Sequence, residues 1–165
     1  DGGTYLGICA GGYYGGASLI FGAGTDIEVS DTRELAFFPG CVKGPAFPGF
    51  VYNSHEGAHA AQISGVLCDT PLPIYFNGGG YFDKATSFDN VEVLAQFSEL
   101  KDSPAAVVSC DVGKGKAMLS SVHFEYNPEK LDKKDPHLQR ILPALRQFNA
   151  QRLQFALRIL RLCAK

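Results

Sequence analysis

The apolar run TYLGI, Thr4 to Ile8, stops abruptly in CAGGYYGG, which leaves Cys9 between Gly7 and Gly11. A short apolar run ending in a glycine cluster reads as a buried strand that must turn sharply. Gly12 to Ser18 then reads as a short helix or a turn. Either Cys9 is a small apolar residue in that turn, or the turn exists to present its thiol. A nucleophile on a strand-to-helix turn is held in a strained backbone conformation, so its neighbours must be small. A helix N-terminus after it would direct N–H groups at the sulfur and favour the thiolate. The Ala10 N–H would then help to hold an oxyanion. G-x-C-x-G alone is a short pattern, and buried structural cysteines are common.

A cysteine nucleophile needs a base, and the base needs a group to orient it. SSVHFEYNPE supplies His123 and Glu125 at the end of the last expected strand. Residues i and i+2 of a strand face the same way, so Glu125 can fix the imidazole tautomer. Without Cys9 the pair would be an ordinary surface His and Glu.

Short strands are also expected at Ile27–Ser30, Glu34–Phe38, Phe50–Asn53, Pro73–Asn77, Val91–Phe97, Ala105–Val112 and Lys116–Val122. Gly/Pro clusters such as PGCVKGPAFPG and NGGG separate them, and GKG marks a hairpin between the last two. Lys114 is its exposed tip. Pro143 should end or kink the helix before it. Leu153, Ala156, Leu157 and Leu160 recur at helical spacing, which predicts an amphipathic helix over Ala150–Cys163. LDKKD reads as a solvated loop. Strands through the middle and helices at both ends make a mixed α/β domain, residues 1–165, with no internal repeat.

A net charge near −2 gives no general nucleic-acid-binding surface. No apolar run approaches the ~20 residues of a membrane span, and no signal peptide is visible. Five cysteines, widely scattered and without a CxxC pair, suit a reduced, cytoplasmic protein.

GICAGGYYGG after a strand, with H-x-E after a terminal hairpin, resembles the class I glutamine amidotransferase-like superfamily. Within it, GICAGGYYGG, RELAFFPG, KGPAFPGFVYNS and YFNGGG resemble the N-terminal domain of eukaryotic, especially fungal, biotin–protein ligases. VHFEYNPE takes the place of that domain's His-Pro-Glu motif. The resemblance covers nearly the whole chain. It implies a flavodoxin-like layered sheet with extra β-hairpins and a triad of Cys9, His123 and Glu125. The surrounding pocket would comprise Ala10, Gly11, Tyr13, Asn77, Gly78 and Gly79.

It further implies an accessory or regulatory domain beside a ligase catalytic domain, with an amide as the small-molecule ligand and no cofactor or metal. Two substitutions separate the chain from glutaminases. Tyr13 stands at the usual Gln position, which weighs against glutamine as substrate, and Phe124 replaces the proline of the His-Pro-Glu motif. The sequence also opens directly on the nucleophile strand. An N-terminally shortened domain is therefore expected, with an open apolar sheet edge, a tendency to self-associate and weak or no catalysis. No basic Gly/Arg loop for biotinyl-adenylate is visible, so biotinylation by this chain is not expected.

Two other readings compete. One is a standalone cysteine amidohydrolase acting through Cys9. The other is a zinc peptidase, since His55-Glu56-Gly57-Ala58-His59 matches H-E-x-x-H. That motif needs a helix to place both histidines on one face. Gly57 weakens a helix by about 1 kcal/mol, and the stretch before it reads as strand and turn. The family resemblance puts it at a turn leading into a strand. NGGG, Asn77 to Gly80, would either line the cleft near Cys9 or form a plain hairpin turn.

Overall fold

The computed structural model describes residues 2–164. The first strand, β1 (Thr4–Ile8), is followed by a single-turn helix, α1 (Ala10–Tyr14), and by β2 (Gly16–Phe21), β3 (Val29–Thr32) and β4 (Phe38–Gly44). Next come β5 (His59–Ser64), β6 (Leu72–Phe76), β7 (Tyr81–Phe82), β8 (Val91–Phe97), β9 (Ala105–Val112) and β10 (Gly115–Ser120). Three helices complete the described chain: α2 (Pro136–Gln139), α3 (Leu142–Gln147) and α4 (Asn149–Cys163).

All the described strands join one ten-stranded sheet. β9 is its hub, with β10 and then β1 on one side and β8, β5 and β6 on the other. β7 joins β9 at Phe82–Ala105 and leads out to β4, β2 and β3. Among the described residues only the β1–β10 and β2–β4 pairs are parallel. The fold is therefore mixed α/β around a large open sheet.

The central strands are buried on both faces, which is why AAVVSC reads as a continuous apolar run. Successive residues go to opposite layers. Met118 packs with Phe76, Phe97, Phe155 and Ile159. Its neighbours Ala117 and Leu119 pack with Phe38, Val42 and Phe82. A smaller cluster of Tyr75, Leu138, Leu142 and Leu145 seats α2 and α3.

The expected strands Val91–Phe97 and Ala105–Val112 form as β8 and β9. The GKG hairpin forms too, with Gly113 at positive φ in the turn between β9 and β10. Other expectations require correction. Glu34–Phe38 is not a strand. Pairing begins at Phe38 and runs through Pro39-Gly40, because the β2–β4 ladder slips there: Gly16 faces Phe38 and Ser18 faces Cys41. A bulge accommodates the Pro-Gly pair, which otherwise signals a turn. Phe50–Asn53 is likewise not a strand. Its aromatic side chains pack onto Phe21 instead of joining the sheet. The helix expected near Gly12 ends at Tyr14, and GASLIF continues as β2.

The α4 helix forms where its periodicity predicts, but a different face is buried. Arg152, Phe155 and Ile159 face the core, while Leu153, Leu157 and Leu160 are about half exposed. The larger Phe155 and the buried hydrogen bonds of Arg152 set the rotation, and periodicity alone does not see either.

Among the described residues β1 has a strand partner on one side only, and Leu6 on it is exposed. Unpaired N–H and C=O groups along such an edge recruit other chains. Size-exclusion chromatography at rising concentration is expected to show the chain self-associating, with Leu6→Lys shifting it toward monomer. A monomer at every concentration would show that this edge does not recruit another chain.

Candidate active site

Parallel pairing of β1 with β10 brings their C-terminal ends together, with Ile8 opposite Ser120. The chain leaves both strands at the same end of the sheet, the end where open α/β sheets bind ligands. Cys9 follows β1 directly. Its N–H donates to the Ser120 carbonyl at 2.8 Å, and its own carbonyl accepts from Tyr13 N–H at 3.1 Å. Cys9 lies at φ 52, ψ −104. A non-glycine residue in this region is strained and persists only where its surroundings enforce it.

The strain therefore falls on the cysteine, not on the flanking glycines, none of which has positive φ in this turn. Gly12 serves a close approach instead: a Cβ there would stand 2.9 Å from the Ser120 carbonyl oxygen. At the neighbouring crossing, a Cβ on Gly79 would collide with the Ser121 carbonyl oxygen.

Beyond β10 the chain folds in through Ser121 and Val122, both buried. Ser120 Oγ donates to the Val122 carbonyl at 2.8 Å. His123 N–H donates to the Tyr75 carbonyl at 2.8 Å as an isolated bridge. His123 and Glu125 thus lie past the strand end, in a turn, and not on a strand face as expected. They still meet, with His123 Nδ1 and Glu125 Oε1 2.6 Å apart. An ionised carboxylate only accepts, so Nδ1 carries the proton and Nε2 is left for the thiol.

The ring lies 4.7 Å from Tyr126 in a nearly parallel stack (14°), and Tyr75 packs at a tilt 5.6 Å away. Burial opposes charge on His123, but hydrogen bonding and charge from Cys9 and Glu125 outweigh it and raise the imidazole to about 9. Burial pushes Tyr75 up to about 12, with the Asn77 side chain opposing.

Cys9 Sγ lies 3.8 Å from the Asn77 carbonyl oxygen, which accepts from the S–H when the sulfur carries its proton. Cys9, Ala10, Tyr13, Asn77 and Gly78 line one cavity of about 320 Å³. The buried Tyr13 hydroxyl donates to the Gly78 carbonyl at 3.1 Å. Burial raises its pKa first, and the nearby Cys9 and Tyr52 raise it further.

Gly11 and Gly79 have backbone roles. Gly11 O accepts from the Tyr5 hydroxyl at 3.2 Å, and Gly79 O accepts from Ala46 N–H at 2.8 Å. The NGGG stretch is not a plain hairpin turn, since β6 and β7 do not pair with one another. It carries the chain across the sheet end and past Cys9.

HEGAH forms a turn and the first residue of β5. His55 Nδ1 is 2.8 Å from Asp135 Oδ2, while His59 stacks on Phe47 at 4.7 Å, so the two rings have different partners. Among the described residues, no group of three His, Cys, Asp or Glu side chains stands within metal-binding reach. No described helix is long and apolar enough to cross a membrane.

Three features of the site go beyond the residues singled out in the sequence. Tyr75 and Tyr126 clamp the His123 ring. Phe21, Phe50 and Tyr52 wall the cavity beside Cys9. Arg152 is buried, donates from Nη1 to the Phe124 carbonyl, and donates from Nε to Asn149 Oδ1 at 2.8 Å. Burial lowers its pKa, and the Glu125 charge opposes that shift. Tyr126, three residues beyond His123, was the accessible signal; an arginine among leucines on a helix gives none.

A family model described as the N-terminal region of biotin–protein ligase matches residues 1–164. A biotin–protein ligase of Schizosaccharomyces pombe (strain 972 / ATCC 24843) is 43% identical over 142 residues, covering 81% of this chain and 22% of that protein. An uncharacterized protein of Chlamydia muridarum (strain MoPn / Nigg) is 42% identical over 132 residues, covering 78% of this chain and 50% of that one. The chain thus spans no more than half the length of either relative. With the family model covering nearly every residue, the chain belongs to the biotin–protein ligase N-terminal family.

Proposed function

We propose that this domain is an accessory, regulatory unit of a biotin–protein-ligase-type protein, built on an amidotransferase-like, flavodoxin-like plan around the parallel β1–β10 pair. Its proposed partner is a ligase catalytic domain and its setting the cytoplasm. Cys9 acts as nucleophile, His123 as base and Glu125 as the orienter of His123. The observation that carries this reading is the strained Cys9 beside a histidine on which both the Cys9 thiol and the Glu125 carboxylate act. Glu125 holds Nδ1–H, and Nε2 exchanges its proton with the thiol and then with the leaving group. The Ala10 N–H, first in α1, supports an oxyanion. A standalone cysteine amidohydrolase is the second reading.

Limiting iodoacetamide followed by peptide mass spectrometry tests the nucleophile. Burial pushes the Cys110 thiol up to about 12 and the Cys68 thiol up to about 11, and it also raises Cys163. Cys9 is expected to be alkylated first, about tenfold or more ahead of those three, since thiolate character and access set the rate. Equal labelling of Cys9 and Cys163 would remove the triad reading.

A further inference from the structure

The cavity beside Cys9 differs in chemistry from a site for a free amino acid. Its wall is an interlocked aromatic set. Phe21 meets Tyr13 edge-on at 5.7 Å and Phe50 at 5.3 Å, and Phe50 meets Tyr52 at 5.0 Å. The one charged residue in the described lining, Arg33, is paired through Nη1 with Asp31 Oδ2 at 2.7 Å, and the same Nη1 donates to the Thr32 carbonyl at 2.8 Å. The described lining has no acidic side chain for an α-ammonium group, its one cation already has a carboxylate partner, and burying a charge without a partner is costly. The volume, about 320 Å³, lies at the small end of ligand pockets.

A second cavity, of about 270 Å³, lies on the other side of Asn77, against His123, Tyr126 and His55. Asn77 and Phe50 border both cavities. The Asn77 side chain is fixed, because Nδ2 donates to the Ser54 carbonyl at 2.9 Å. That leaves Oδ1 buried with no hydrogen-bond partner.

Resting on the reading of Cys9 as a nucleophile, we propose that the substrate is an amide with an uncharged, apolar acyl group of medium size. The acyl group fills the aromatic cavity, and the amine departs through the cavity beside His123. The Cys9 sulfur bonds to the carbonyl carbon, the C–N bond breaks, and the thiol proton passes through His123 to the amine, leaving an acyl thioester on Cys9. Water, deprotonated by His123, attacks that thioester. The C–S bond breaks, the acid is released, and the thiol recovers its proton.

Nitrophenyl esters with acetyl, hexanoyl, phenylpropionyl and γ-glutamyl groups share one leaving group, so they isolate the acyl preference. Acylation of the full chain is read by intact-mass and peptide mass spectrometry. Hexanoyl and phenylpropionyl are expected to acylate Cys9 at least about tenfold faster than acetyl or γ-glutamyl, the scale on which apolar pockets discriminate. Tyr52→Ala, which opens the rim, should shrink that ratio. Hexanoyl aminomethylcoumarin amide should release its amine. Acetyl or γ-glutamyl reacting with Cys9 as fast as hexanoyl would overturn the acyl class while leaving Cys9 as the nucleophile. Acylation of no thiol, or of another cysteine first, would overturn both.

Discussion

Arg152→Ala is expected to lower the free energy of unfolding by about 2–4 kcal/mol, a fall in Tm of roughly 10 °C for a domain of this size. Arg152 is buried on the inner face of α4, where Nη1 donates to the Phe124 carbonyl and Nε to Asn149 Oδ1. Removing it leaves a buried carbonyl unpaired and a cavity next to Phe155. Arg158, one turn and a half further along the helix, is the internal control. Its fork on Asp69, 2.9 Å at the closest, is exposed, and its one further bond is from Nη1 to the half-buried Leu67 carbonyl at 2.8 Å, so Arg158→Ala should cost about 1 kcal/mol, well below Arg152→Ala. Thermal and urea unfolding of the three proteins decides the matter, and equal losses for the two variants would mean that burial of Arg152 contributes nothing special. Phe124 lies between His123 and Glu125, so the guanidinium also anchors the segment that carries both candidate site residues.

Covalent spacing made the ends of this site legible in the sequence. TYLGICAGG announces strand, turn and thiol within a few residues, and H-x-E announces a histidine with a carboxylate in reach. That these two motifs meet depends on the parallel β1–β10 pairing, a contact between residues more than a hundred positions apart. Local periodicity carries no record of it, and here the family resemblance supplied the connection.

The errors have the same origin. Phe50–Asn53 alternates like a strand because alternate side chains reach Phe21 and the cavity, so a wall and a strand look alike in one dimension. The leucine spacing of α4 is a valid helical period, but which stripe faces the core was decided by Phe155, Ile159 and the partners of Arg152. Pro39-Gly40 reads as punctuation, yet a bulge lets β4 pass through it.

His123 is expected to titrate near 9 in the folded protein, against an ordinary value of 6.5. Burial alone would move it the other way, so the upward shift must come from Cys9 and Glu125. Cys9→Ser and Glu125→Gln should each lower it. The double variant, left with burial and a neutral neighbour, should titrate below 6.5. Imidazole chemical shifts followed by NMR across pH give all four values, and a wild-type titration at or below the ordinary value would sink the proposed arrangement.

Stability follows with a definite sign. A histidine whose folded pKa is raised contributes stability that is fully present below its unfolded value, and that stability is lost as pH rises through the folded value. For His123 the window runs from 6.5 to about 9, and the contribution is on the order of 3 kcal/mol. The wild-type urea midpoint should therefore fall across that window relative to the double variant. In the double variant the depressed imidazole contributes stability above pH 6.5 that is lost as pH falls, so the His123-dependent slope reverses. A parallel pair of curves would mean that the thiol and the carboxylate do not hold a proton on His123.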